Sequence, residues 1–163
     1  MSLLSHFSKL FQYQGWANKK FLKLISEHQD PKSLEILSHN LGAELIWLQR
    51  IGKVQLSDRA SQVLESAKLI MNGGSLTIDD ISFSVHDLDM TWNLLIQTIT
   101  EESLSEMIHY KNLKGDSLST KLSDILMHVV NHATYHRGQI SMNLKAKGLK
   151  TIPNDFIVFA REA

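Results

Sequence analysis

Between Leu122 and Asn143, side chains suited to one helical face recur at alternating intervals of three and four residues. The series starts with apolar residues and continues with polar ones: Leu122, Ile125, Val129, His132, His136, Gln139 and Asn143. This spacing predicts a long α-helix with one face packed inward. His132 and His136 therefore occupy positions where the pattern calls for buried side chains.

Three of the eight histidines, His128, His132 and His136, are spaced four residues apart on this predicted helix. Side chains at that spacing share a face, with Cβ atoms about 6 Å apart, so two imidazoles can bind one metal ion. Three would span roughly 12 Å of the helix axis, too far for a single ion. Because His128 falls beside the inward series, we assign His132 and His136 as ligands and His128 as their neighbour.

A histidine pair needs at least one more ligand, and the chain has no cysteine to supply it. His39 is the best candidate, because it lies within a second helical pattern from Leu34 to Arg50 that is apolar on two opposite faces. A histidine inside an apolar face needs a partner. The sequence thus predicts a metal site of His39, His132 and His136; the alternative is that these are ordinary histidines bonded to backbone or water.

Hydrophobic periodicity predicts four main helices, at about residues 2–27, 31–50, 78–99 and 119–147. Asp30 and Thr77 are suited to cap the second and third helices, and Pro31 fits a first helical position. A weaker pattern predicts a short helix from Gln62 to Met71. Met107 to Ser119 is expected to form a small hairpin. We expect one all-α domain over residues 1–163, a four-helix bundle with this hairpin before the last helix.

Charge and composition exclude several classes of function. Seventeen Lys and Arg balance seventeen Asp and Glu, which gives no electrostatic reason to expect nucleic-acid binding. The lysines at 145, 147 and 150 lie where they complement a helix dipole rather than form a phosphate site. Without an apolar run of about 20 residues or a leader pattern, we expect no membrane span and a cytoplasmic protein. Only Glu106-Met107-Ile108-His109 matches the Glu-x-x-His motif of di-iron bundles, which need two.

Five aromatic residues are concentrated in the first predicted helix: Phe7, Phe11, Tyr13, Trp16 and Phe21. This exceeds what a bundle core obviously needs. Because large apolar patches on a folded surface usually mark contacts, we expect a homodimer.

The stretch from His128 to Ile140, with its Asn-His-x-x-x-His-Arg-Gly-Gln core, resembles the signature of the DinB (damage-inducible) family within the DinB/YfiT-like metalloenzymes. Residues 13–18, 38–50 and 153–157 resemble other motifs of that family, in its order. The resemblance implies a DinB/YfiT-type bundle and a metal held by His39, His132 and His136. Tyr135 stands where many members carry another histidine.

Relatives in this group imply a small-molecule substrate and a metal-dependent enzyme, either a transferase that uses a low-molecular-weight thiol or a hydrolase. Three imidazoles without a thiolate suit zinc or nickel. The alternative is a non-catalytic stress-response or ligand-binding bundle in which the metal is structural. No catalytic residue is assigned: Glu44, Asn131, Tyr135 and Arg137 are candidates for supporting the ligands or transferring protons, and Glu44 and Arg137 equally suit a structural role.

Overall fold

The computed structural model describes residues 2–70 and 73–162. In chain order the elements are α1 (Leu3–His28), α2 (Pro31–Ile51), α3 (Asp58–Leu69), α4 (Ile78–Thr98), β1 (Met107–Lys111), β2 (Ser117–Lys121), α5 (Leu122–Ala146) and α6 (Phe156–Glu162). A short 3₁₀ helix, Glu102–Ser105, lies between α4 and β1.

Four long helices form the bundle, because α1 and α2 each pack against both α4 and α5. One of the two apolar faces predicted for α2 lies in the core, where Leu37, Leu41, Leu45 and Leu48 are almost inaccessible to solvent. Phe11 of α1 stacks on Trp92 of α4 with ring centroids 4.6 Å apart. The predicted all-α four-helix bundle with a hairpin before the last long helix is therefore confirmed.

Side chains cap the N-termini of helices α1, α2 and α4. The Ser2 hydroxyl accepts from the Ser5 backbone N–H, the Asp30 carboxylate from Ser33, and the Thr77 hydroxyl from Asp80. These bonds satisfy N–H groups that have no partner within the helix. The caps at Asp30 and Thr77 agree with the sequence prediction.

Several predicted boundaries differ from the structure. The short helix α3 begins at Asp58, capped by Ser57, rather than at Gln62. Its predicted end at Met71 lies outside the described residues.

The last long helix begins at Leu122 rather than at Ser119 or Thr120, because those two residues belong to β2. In the hairpin Met107 lies opposite Lys121 and Lys111 opposite Ser117, and Gly115 in the turn has φ 91°. Helix α6 was not predicted.

The expectation that α1 exposes an aromatic surface is wrong. Phe7, Phe11, Tyr13 and Phe21 are all buried, since the bundle and α6 cover them, and Trp16 is half-buried against the same cluster as Tyr13. Tyr13 lies 5.8 Å from the ring of Phe159 in α6, and its hydroxyl donates to the Asn154 carbonyl at 2.8 Å. The homodimer remains a prediction without this support, and light scattering can test it.

Helix α3 packs closely on α2 at Gly42. A Cβ atom at this position would lie 2.8 Å from the Cβ of Ala67, closer than carbon atoms approach without a shift. The absence of a side chain at Gly42 therefore sets the separation of the two helices. No helix among the described residues combines the length and apolar character that a membrane crossing requires.

Candidate metal centre

The facing surfaces of α2 and α5 bring His39, His132 and His136 together. Their ring centroids are 4.8 Å apart for His39 and His136, 5.6 Å for His39 and His132, and 4.4 Å for His132 and His136. One nitrogen from each ring lies within 4.8 Å of the other two. All three side chains are half-buried. The three residues selected from the sequence thus form one cluster.

A hydrogen bond fixes how His136 faces this cluster. Its Nδ1 lies 2.7 Å from the Gln139 amide oxygen, and the Gln139 amide nitrogen donates to the Tyr135 hydroxyl at 3.1 Å. Because an amide oxygen only accepts, His136 Nδ1 carries the proton and Nε2 keeps its lone pair. That Nε2 lies 3.1 Å from Nε2 of His132, so the lone pair is directed into the cluster.

Burial favours the neutral form of His132 and His136. It is the main cause that lowers the pKa of His132 from 6.5 to about 4, and the neighbouring His136 and His39 act in the same direction. Burial also lowers the pKa of His136, although its hydrogen bond to Gln139 opposes the shift. Neutral imidazole is the form that binds a metal, so these two rings are in the binding form at neutral pH.

The low pKa of His132 predicts how the metal-free protein responds to acid. Below pH 6.5 the unfolded chain takes up a proton on His132, whereas the folded chain does so only near pH 4. The stability that the neutral ring contributes is therefore present above pH 6.5 and is lost as the pH falls toward 4. In urea titrations with a chelator present, the free energy of unfolding should fall more steeply with decreasing pH for the wild type than for His132→Gln, which lacks the ring with the lowered pKa. Parallel pH profiles would contradict this prediction.

His128 lies beside the cluster, as predicted. It is exposed, and its ring centroid is 5.5 Å from that of His132 and 5.4 Å from that of Trp47. The remaining histidines, His6, His28, His86 and His109, are on other elements. Glu106 and His109, the single Glu-x-x-His match in the sequence, lie at the hairpin.

A cavity of about 230 Å³ reaches two of the three imidazoles, those of His39 and His136. Ile36 and Ile70 supply apolar wall, and Gly73 and Gly74 line another part of it. The other lining residues are polar: Lys32, Glu35 and Gln139. Lys32 and Glu35 form an ion pair of 2.9 Å, so the lining adds little net charge. The cluster therefore adjoins a space that a small molecule can enter.

Glu44 lies in the bundle interior as the centre of a polar network. Its Oε2 accepts from Gln14 at 2.7 Å and from Trp92 at 3.0 Å, and its Oε1 accepts from Asn40 at 3.1 Å and from Asn18 at 3.3 Å. Burial raises the pKa of Glu44 from 4.5 to about 6, although the bond from Gln14 and the charge of Arg137 oppose this.

Arg137 completes the network and is 1% exposed. Its guanidinium donates to Asn18 Oδ1 at 3.1 Å and to the Thr134 hydroxyl at 3.0 Å, and it lies 5.2 Å from the Tyr13 ring. Among the described residues, none of these bonds reaches an imidazole. Of the sequence candidates, Glu44 and Arg137 therefore support the bundle, Tyr135 acts on His136 through Gln139, and Asn131 is exposed.

Gln139 is the residue whose role the sequence did not reveal. It was placed in the inward series but not assigned to any ligand, although its position three residues after His136 puts it on the same face. A hydrogen bond at the ring nitrogen that does not bind the metal orients a ligating histidine. The i, i+3 spacing of His136 and Gln139 could have predicted this hydrogen bond.

A four-helix bundle in which two facing helices present three clustered imidazoles defines a helical protein with a candidate metal-binding centre. A sequence model described as the DinB family matches residues 1–163, and the chain belongs to that family. This confirms the resemblance seen in the motifs.

Two relatives are consistent with this assignment. The chain is 28% identical over 162 residues to Protein DinB of Bacillus subtilis (strain 168), covering 91% of this chain and 90% of the relative. It is also similar to the crystal structure of a DinB-like protein from Bacillus cereus ATCC 10987. That match has a TM-score of 0.58 and 19% identity and covers 90% of this chain and 94% of the other, which supports the fold alone.

Proposed function

We propose that this protein is a metal-dependent enzyme in which His39, His132 and His136 hold one divalent ion beside a substrate cavity. The observation that carries the proposal is the cluster itself: three half-buried imidazole nitrogens within 4.8 Å of one another, two of them on rings that line the cavity. Three protein ligands with a further position open to solvent or substrate are typical of catalytic rather than structural sites.

The donor set fits such an ion. Two nitrogens bound at 2.0–2.1 Å to one tetrahedral ion lie about 3.4 Å apart. The spacing here runs from 3.1 Å between His132 and His136 to at most 4.8 Å across the cluster. Small side-chain rotations close that range. The neutral state of His132 and the fixed tautomer of His136 supply the lone pairs. Zinc or nickel suits three imidazoles with no thiolate.

A bound divalent ion would supply Lewis acidity that lowers the pKa of a water molecule or a thiol in contact with it. The chain's own residues then provide the setting. Gln139 holds the His136 ring in position, and Ile36 and Ile70 limit water along the cavity wall. These features suit a small-molecule substrate, with a low-molecular-weight thiol as co-substrate of a transferase or water as reactant of a hydrolase. A cytoplasmic location is part of the same proposal.

Removing the metal should destabilise the fold, because its ligands come from both α2 and α5. An ion at a hundredfold excess over its dissociation constant stabilises the native state by about 2.7 kcal/mol. We therefore expect chelation at pH 7.5 to lower the melting temperature, and the difference to shrink toward pH 5 as protons compete for the imidazoles. Loss of the metal with no change in melting temperature would show that the ion does not bridge the two helices.

Access to the ion separates catalysis from a structural role. Tag-free, metal-loaded protein should bind a low-molecular-weight thiol in calorimetry, or give water-proton relaxation that reports exchangeable water at a paramagnetic substitute ion. If neither is observed while the metal remains stoichiometric, the non-catalytic bundle with a structural metal becomes the better description.

A further inference from the structure

A second pocket, of about 420 Å³, opens where the hairpin meets α2 and α3. The residues that matter here are Arg50 and Ile46 of α2, Lys68 of α3, Tyr110 and Lys111 of β1, and Leu113 of the hairpin turn. The pocket shares no lining residue with the cavity at His39. Arg50 follows His39 by three turns of α2, roughly 16 Å along the helix axis. The two spaces are separate.

The lining of this pocket is positively charged. Three cations, Arg50, Lys68 and Lys111, contribute to it, whereas no Asp or Glu does. Within residues 2–70 and 73–162, neither Arg50 nor Lys111 has a carboxylate within 4.0 Å. Lys68 pairs with Glu65 at 2.7 Å, but this pair is solvent-exposed, and such pairs are weak. An anion that enters the pocket would therefore have to displace at most one weak ion pair.

Two aromatic rings hold Arg50 in place. Its guanidinium carbon lies 4.7 Å from the Trp47 ring and 5.0 Å from the Tyr110 ring, and the group is half-buried. In the part of the chain that the structure describes, its side chain has aromatic contacts but no hydrogen bond, which leaves its donors available to an acceptor. Burial lowers the pKa of Arg50, as expected for a cation partly removed from water, although Tyr110 opposes the shift. Ring stacking leaves the edge of the planar fork open to an acceptor.

We propose that this pocket binds a small organic anion whose carboxylate or phosphate group contacts Arg50 and Lys111 and whose apolar part lies against Ile46, Tyr110 and Leu113. The apolar part is required because a bare inorganic ion would leave most of the volume unfilled. Small-molecule sites span roughly 300–1,000 Å³ and combine apolar walls with a few polar groups. This inference does not depend on the proposed metal chemistry.

Calorimetry on the full chain can test the proposal with three ligands of similar shape: phenyl phosphate, benzoate and the neutral benzamide. The titrations are done after chelation, because both anions also bind metals. We expect one-to-one binding of at least one anion, weakening with salt, and none of benzamide. A preference for phenyl phosphate or for benzoate supports the proposal and identifies which anionic group the site takes.

Substitutions then locate the ligand. Arg50→Gln should weaken binding by roughly tenfold to a hundredfold, the range for charged hydrogen bonds. Lys111→Gln, on the exposed hairpin, should weaken it less and cannot disturb the core. Lys23→Gln removes an exposed lysine of α1 and should change nothing.

Three results would overturn the proposal: no binding of either anion at millimolar concentration, equal affinity in the wild type, Arg50→Gln and Lys111→Gln proteins, or binding that requires His136. The last would place the anion at the histidine cluster.

Discussion

Replacing His39, His132 or His136 by alanine should leave the purified protein without stoichiometric metal, whereas His128→Ala should retain one ion per chain. The first three residues each place a nitrogen within 4.8 Å of the other two, and His128 does not belong to that cluster. Because the described residues offer three ligands at this site, loss of one removes a third of the donor set. The measurement is elemental analysis of tag-free protein.

Gln139→Leu provides a graded control for the same experiment. It leaves all three imidazoles in place but removes the acceptor that holds the His136 Nδ1 proton. Loss of such supporting bonds costs about 10- to 100-fold in metal affinity, so the ion should remain at high metal concentration and leave on dialysis. The assignment of His132 and His136 as the ligands of α5 would be wrong if His128→Ala lost the metal and His136→Ala kept it.

The second large effect is expected at Arg137. Its guanidinium and the buried Glu44 carboxylate, which is 2% exposed, both bond to Asn18, and the charge of Arg137 acts on Glu44 without direct contact. Removing one partner of a buried ionic arrangement typically destabilises by about 3–5 kcal/mol. Arg137→Met keeps much of the side-chain volume and should lower the free energy of unfolding by that amount in urea titrations. Arg161→Met, which changes an exposed arginine of α6, should stay within about 0.5 kcal/mol of the wild type.

Protonation distinguishes a charge effect from a packing effect in Arg137→Met. The charge of Arg137 lowers the pKa of Glu44, so without it that pKa rises further above 4.5. A raised carboxyl pKa means that the folded state binds the proton more tightly, and stability increases as the pH falls through it. The difference between the variant and the wild type, both measured in a chelator, should therefore be smaller at pH 5 than at pH 7.5. An equal difference at both values would indicate lost packing alone.

The histidine cluster could be predicted from the sequence because it depends on the spacing of residues within each of two helices. His132 and His136 are one turn apart on an inward series, and His39 interrupts an apolar face of a second helix. A bundle must bury such faces against each other, and α2 indeed packs on α5. The helix caps at Asp30 and Thr77 were readable for the same reason, since a cap depends on residues within one turn.

Features that depend on the relative rotation of distant helices were not accessible. The hydrogen-bond partners of Glu44 come from α1 and α4 as well as from its own helix, and no spacing along the chain predicts that these residues meet. The pairing of Lys147 with Asp30 joins residues 117 positions apart. Helix α6 has seven residues, too few to show a period or to be stable alone, and it exists because Phe159 packs on Tyr13.

The close contact between Gly42 and Ala67 has a consequence for what the cavity at His39 can admit. Helix α3 ends one residue before Ile70, which forms part of the cavity wall. A methyl group at Gly42 would push α3 outward, and the wall that follows it would move too. The volume of the cavity therefore depends on a helix–helix contact that involves neither a residue inside the cavity nor an imidazole. Replacing Gly42 by a larger residue would change the size of molecule that the cavity admits while leaving the three histidines in place.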